Sequence, residues 1–189
     1  VQAVNDDGEP CFRANGEPIM VSGYGYTARK IVREYRESNP KIVGLWKELD
    51  LAFKGSEGGD FEMTLPSGRT MVYREVRKEW RTVKEKDGKM KKKQVFTALV
   101  GDRRTPLYGG LLTENLVQAT ARDVFGGHCL DLDRTAGIDV LFSVHDEAVN
   151  ETEPEINAKD VEQIMSRCPE WLAGCPIGAE AIEAPHYKK

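Results

Sequence analysis

The chain has 189 residues, 40% hydrophobic and 31% charged, with a formal net charge of −4. That is enough for one globular domain with a modest core, and the mixture excludes a disordered or fibrous chain. No apolar run approaches the roughly 18 residues of a membrane span, and no secretory leader is visible.

Residues 1 to 22 are polar and punctuated by Asp6-Asp7-Gly8 and Asn15-Gly16, so they read as a short hairpin or as disordered chain. Residues 27 to 54 read as helical, with Thr27 as N-cap and Ile31, Val32 and Tyr35 at helical spacing. Asn39-Pro40 breaks that helix and starts the next, whose apolar face holds Ile42, Val43, Leu45, Trp46, Leu49 and Phe53. Residues 60 to 107 read as strands: Phe61 to Leu65, Thr70 to Arg74, Trp80 to Val83 and Val95 to Leu99. A tight turn at Lys86-Asp87-Gly88-Lys89 is expected within this basic hairpin.

Leu111 to Phe125 reads as one helix, introduced by Thr113 or by the Asp102-to-Gly110 punctuation and ended by Gly126-Gly127. Leu112, Leu116, Ala119 and Val124 share an apolar stripe. Asn115, Gln118 and Arg122 share another, at spacings of three and four. Two amides and a guanidinium on one helix face can donate to bases and phosphates together, although most such faces are simply solvated. Ile138 to Val144 is a strand by its β-branched and aromatic content, and Ala148 to Glu151 can return beside it. Between them, His145, Asp146 and Glu147 place an imidazole and two carboxylates at one turn, which suits an oxygen-seeking divalent cation such as Mg²⁺. A solvated turn, favoured by Asp for backbone reasons, accounts for the same tripeptide. Lys159 to Cys168 reads as an amphipathic helix with Val161, Ile164 and Met165 inward; Pro169-Glu170-Trp171 reads as the start of a linker, and Pro176 to Ala184 can be a last strand.

Charge is segregated along the chain. Arg69 to Arg104 is rich in Arg and Lys, including Lys91, Lys92 and Lys93, whereas residues 147 to 183 are acidic. This suggests a basic face for phosphates and an acidic face turned to solvent or metal; the plain alternative is a solvated basic hairpin tip. Cys11, Cys129, Cys168 and Cys175 lack zinc-ligand spacing and read as free thiols.

The run Tyr108-Gly109-Gly110-Leu111-Leu112-Thr113-Glu114-Asn115-Leu116-Val117-Gln118-Ala119-Thr120-Ala121-Arg122-Asp123, followed by Val144-His145-Asp146-Glu147, resembles the family A (polymerase-I-like) DNA polymerases, in their bacteriophage branch. The His-Asp-Glu turn looks like motif C, and the helix looks like the palm helix along the primer–template minor groove. Ala28 to Trp46 resembles the helix pair after the fingers, Leu65-Pro66-Ser67-Gly68-Arg69 the hairpin that follows, and Ala184 to Lys189 the C-terminus. The resemblance covers roughly residues 23 to 189. It implies an α+β fold with a palm-type antiparallel sheet and packed helices, part of a larger polymerase. The implied divisions are a leader or upstream remnant at 1–22, a helical segment at 23–60, a hairpin region with a basic loop at 61–107 and the palm at 108–189.

The resemblance further implies template-directed transfer of nucleotides from dNTPs to a primer 3′-hydroxyl in phage DNA replication, with two Mg²⁺ ions. Asp146 would hold metal, Glu147 would be a nearby carboxylate and His145 would touch the primer terminus. Gln118 and Asn115 would meet the minor groove; Arg122, Arg69, Lys91, Lys92 and Lys93 would meet phosphates. The implied partners are primer–template DNA, dNTP and the segment carrying motif A and the fingers, with no membrane, in the cytoplasm of a bacterial host. No motif A aspartate or fingers helix is recognisable, and the chain begins Val1-Gln2-Ala3-Val4. The expectation is therefore the C-terminal part of a larger or split polymerase, inactive when isolated. The alternative from another class is a non-catalytic DNA-binding fragment or subunit. A metal phosphohydrolase centred on His145-Asp146 is a poor third, because His128 and His186 are the only other histidines.

Overall fold

A computed structural model describes residues 16–18, 23–84 and 90–187, without the side chains of 23–27, 83 and 84. The expectations for the remainder of the leader, including Cys11, for the Lys86-Asp87-Gly88-Lys89 turn and for Lys188-Lys189 lie outside these residues. The chain divides into two compact units, 1–48 and 49–189.

Two helices begin it, α1 at Gly23–Ser38 and α2 at Pro40–Gly55, with the break where Asn39-Pro40 requires it. Helix α1 starts four residues before Thr27, which is therefore an interior position and not the N-cap. In the first unit Ile31, Val32 and Tyr35 are exposed, and the Arg36 guanidinium lies 6.0 Å from the Trp46 ring centroid.

The second unit is α+β. Strands β1 (Phe61–Thr64), β2 (Thr70–Lys84), β3 (Met90–Val100) and β4 (Arg103–Pro106) form an antiparallel meander. The β1–β2 turn is a three-residue loop: Pro66 pre-sets the first position, Gly68 supplies φ 85°, and Leu65 N–H donates to the Arg69 carbonyl at 2.8 Å. The two strands expected at 70–74 and 80–83 are one strand. A bulge between Arg74 and Arg77 shifts the inward phase, so that Tyr73 and Val76, three apart, are both buried. That phase change is what makes the continuous strand look like two. The bulge places Glu75 at φ 52°; its N–H donates to Asp60 Oδ1 at 2.8 Å, and Val76 N–H donates to the Gly59 carbonyl at 2.7 Å. Strand β4 has no apolar alternation to betray it; it is a short, charged edge strand.

Helix α3, Gly109–Asp133, runs straight through Gly126-Gly127, correcting the expected stop. Two glycines cost roughly 1 kcal/mol each in a helix interior. Val124, His128 and Leu132 continue the buried stripe across them, and that burial outweighs the cost. Thr113 is no cap either: its hydroxyl donates back to the Gly109 carbonyl at 2.9 Å. The helix is capped from outside, by Asp50 Oδ1 accepting from Gly109 N–H at 3.1 Å.

Helix α3 joins two cores. Leu112 near its start packs with Phe53, Phe61, Met63, Tyr73, Val76, Ala98 and Leu107 over the four-stranded sheet. Leu132, about 30 Å along the axis at 1.5 Å per residue, packs with Ile138 and Ile164 under a hairpin of β5 (Ile138–Val144) and β6 (Glu147–Thr152). Helix α4, Ala158–Met165, closes this second core with Val161, Ile164 and Met165, as the spacing predicts, and Asn157 caps it in a capping box with Asp160. Pro176 to Ala184 forms no strand. Its backbone is held by side chains instead: Ala179 N–H donates to Ser166 Oγ at 3.1 Å and Ala181 N–H to Glu162 Oε1 at 2.9 Å.

Candidate functional site

The β5–β6 hairpin is closed by a two-residue turn, His145-Asp146, with Val144 paired to Glu147. Only two of the three expected ionisable residues therefore sit in the turn; Glu147 opens β6. His145 has φ 55°, a left-handed conformation that a tight hairpin demands and that a non-glycine residue adopts at a cost of order 1 kcal/mol. All three residues are exposed. A bulge at Leu141, between the Val140–Asn150 and Phe142–Val149 pairs, sharpens the twist of the hairpin behind them.

Two other segments reach this tip. Arg122 of α3 donates from Nη1 to the His145 carbonyl at 3.4 Å and lies 5.2 Å from the Phe125 ring centroid. The C-terminal segment returns so that the Tyr187 hydroxyl donates to Glu147 Oε2 at 3.2 Å, with the Tyr187 and Phe142 rings edge-to-face at 5.5 Å. Partial burial, and then the Glu147 carboxylate, push the Tyr187 phenol above its ordinary value. Tyr187 was not foreseen in the sequence, because a single aromatic near a chain end carries no spacing signal.

Gln118 is exposed one turn before Arg122, its amide donating to Glu114 Oε1 at 3.2 Å. Asn115 turns inward instead: its Nδ2 donates to the buried Tyr73 hydroxyl at 2.9 Å. Burial raises the Tyr73 pKa, with the Asn115 hydrogen bond working against it. Arg69 is engaged by Asp123 of α3, with Nε on Oδ1 at 2.8 Å, and Nη2 donates to the Ala119 carbonyl at 3.3 Å. Ser67 Oγ donates to the other oxygen of the same carboxylate. The Arg69 hydrogen bond, aided by Ser67, holds Asp123 below the usual carboxylate range despite some desolvation. Asp123 was the missed member of this set; its place beside Arg122 in the helix motif was the only hint. Lys91, Lys92 and Lys93 are exposed on β3, opposite Val83, Thr82 and Arg81.

Asp146 and Glu147 are adjacent hard-oxygen donors, and Mg²⁺ is commonly held by one or two carboxylates with waters and substrate phosphates. The donor chemistry fits that ion. Among the described residues no three His, Cys, Asp or Glu side chains come together as a metal site. His128 is buried, its Nε2 donating to the Arg167 carbonyl at 2.7 Å, which removes it from any site at the tip. Cys129, Cys168 and Cys175 are free thiols, as expected. Among the described residues, no helix is long and apolar enough to cross a membrane.

No protein-family model matches the chain, and no solved structure matches it. A curated protein described as a DNA polymerase, from Bacillus phage SP02, is 32% identical over 178 residues, covering 85% of this chain. The chain spans 27% of that protein's length.

Proposed function

We propose that the chain is the palm portion of a family A phage DNA polymerase, carrying one side of a nucleotidyl-transfer site at the His145-Asp146-Glu147 tip. The likeness to the phage SP02 polymerase supports this reading. The observation that carries it is the junction of helix and hairpin, where Arg122, one turn beyond the exposed Gln118, donates to the carbonyl of His145 in the turn that holds Asp146.

In this reading Asp146 and Glu147 would hold divalent metal, and Mg²⁺ bound there would supply a lowered pKa for the primer 3′-hydroxyl and stabilisation of the charge that develops during transfer. His145 donates to the primer terminus from a turn whose left-handed backbone aims it outward. Gln118 donates to minor-groove acceptors, which are degenerate between A·T and T·A and so report pair shape without reading sequence. Arg122 contacts phosphate while steadying the turn. Asn115 supports the helix face through Tyr73, and Arg69 acts by fixing α3 through Asp123. Lys91, Lys92 and Lys93 contribute positive charge farther out. Primer–template DNA, dNTP and a segment supplying motif A and the fingers are the partners, in the cytoplasm of a bacterial host.

The test is primer extension by the native protein with Mg²⁺. Asp146→Ala is expected to lower the extension rate by about a thousandfold or more, the loss of a metal-borne charge stabilisation of several kcal/mol. Primer–template affinity is expected to stay nearly constant. Normal extension by the variant would remove Asp146 from the site. A second reading, a DNA-binding subunit without activity of its own, is favoured by the small number of clustered donors among the described residues. Tight primer–template binding with no extension under any metal would select it.

A further inference from the structure

The β2–β3 hairpin runs past its flanking strands. Strand β1 pairs with β2 only up to Tyr73, and β4 pairs with β3 only from Thr97 onward. Beyond that, apart from the Leu107 N–H donating to the Phe96 carbonyl at 3.0 Å, residues 78–84 and 90–96 pair only with each other, as a two-stranded ribbon. Side chains of directly paired residues lie on the same face.

Both faces are basic, but they differ in what accompanies the charge. On one, Glu79 accepts from Arg77 at 2.8 Å and from Arg81 at 3.3 Å and lies 3.8 Å from Arg104, and Lys91 and Lys93 stand farther out. The other face starts in the core at Val76 and Ala98 and continues outward through the pairs Lys78–Phe96, Trp80–Gln94 and Thr82–Lys92. Lys78 Nζ lies 5.6 Å from the Phe96 ring centroid, and Lys54 Nζ of α2, itself ion-paired with Asp50, reaches the same ring at 5.9 Å. Trp80 is 67% exposed. Among the described residues of the ribbon, no carboxylate shares this face.

A wide, exposed indole between ammonium groups is an apolar surface that a solvated hairpin tip would not require. Its charge complements a polyanion, and its flat ring complements an unstacked base. We infer that this face binds single-stranded nucleic acid, with Trp80 as a stacking platform for a base and Lys78 and Lys92 as phosphate contacts. A duplex offers phosphates but keeps its base faces covered, so the indole selects the single strand. The inference rests on the DNA-handling reading only in the choice of a deoxyribose strand.

Binding of a fluorescein-labelled oligothymidylate to the full chain, followed by anisotropy and by quenching of indole fluorescence, tests it. Trp80→Ala is expected to weaken binding about tenfold and to remove most of the quenching, while Trp80→Phe, which keeps a ring, retains most of the affinity. Lys78→Ala and Lys92→Ala are each expected to lower the salt slope by about 0.7. Unchanged affinity in Trp80→Ala overturns the inference, whether or not the lysine variants weaken binding. Extension that is unchanged in Asp146→Ala, alongside intact Trp80-dependent binding, would instead overturn only the polymerase reading.

Discussion

At the scale of single residues, the site depends on side chains that satisfy one another. Asp123 joins the β1–β2 turn to α3 by accepting from Arg69 and Ser67 at once. Because its folded pKa is lowered, the stability it contributes is fully present above the unfolded Asp value of about 3.9 and is lost as pH falls through the lower folded value. Asp123→Asn should therefore be less stable than the parent at neutral pH, with the gap closing in acid. Urea unfolding at a series of pH values checks this; a gap independent of pH would mean that the carboxylate charge is not what holds the turn. The placement of Asp146 and Glu147 at a hairpin tip was legible in the sequence because three ionisable residues interrupt two apolar segments. The inward turn of Asn115 was not legible, since a helical face pattern cannot say which amide finds a buried phenol.

At the scale of elements, helices and strands were read where the apolar period was unbroken and misread where packing overrode a local signal. The Gly126-Gly127 pair looks like a stop, yet Val124, His128 and Leu132 carry burial through it. The β2 bulge hid one strand as two, and the segment at 176–184 lacks any strand partner among the described residues. Gly137, like Gly68, has a conformational role. Gly137 leads into β5 at φ 82°, and a Cβ there would lie 2.8 Å from Ile156 Cδ1 and 3.3 Å from Glu153 Oε2. Gly137→Ala should destabilise the second unit by about 1–3 kcal/mol through strain and crowding together. Denaturant midpoints measure this, and a variant as stable as the parent would show that the approach to β5 relaxes freely.

At the scale of the whole molecule, the second unit carries two surfaces. One is the α3 face with the hairpin tip, joined by Arg122. The other is the β2–β3 ribbon bearing Trp80. The α+β class came with the family resemblance, and the helices and antiparallel four-stranded sheet agree with it. The pairing of α3 with the tip could not be read from spacing, because the hydrogen bond from Arg122 to the His145 carbonyl spans 23 positions and depends on α3 continuing unbroken to Leu132. The most direct measurement is a salt titration of primer–template binding by the native protein and its Arg122→Ala variant, with folding verified by circular dichroism. The account predicts about tenfold weaker binding for the variant, uniformly across template sequences, with the salt slope reduced by about one. Equal affinity and an equal slope would contradict it, for α3 and the tip would then not form a surface facing the duplex.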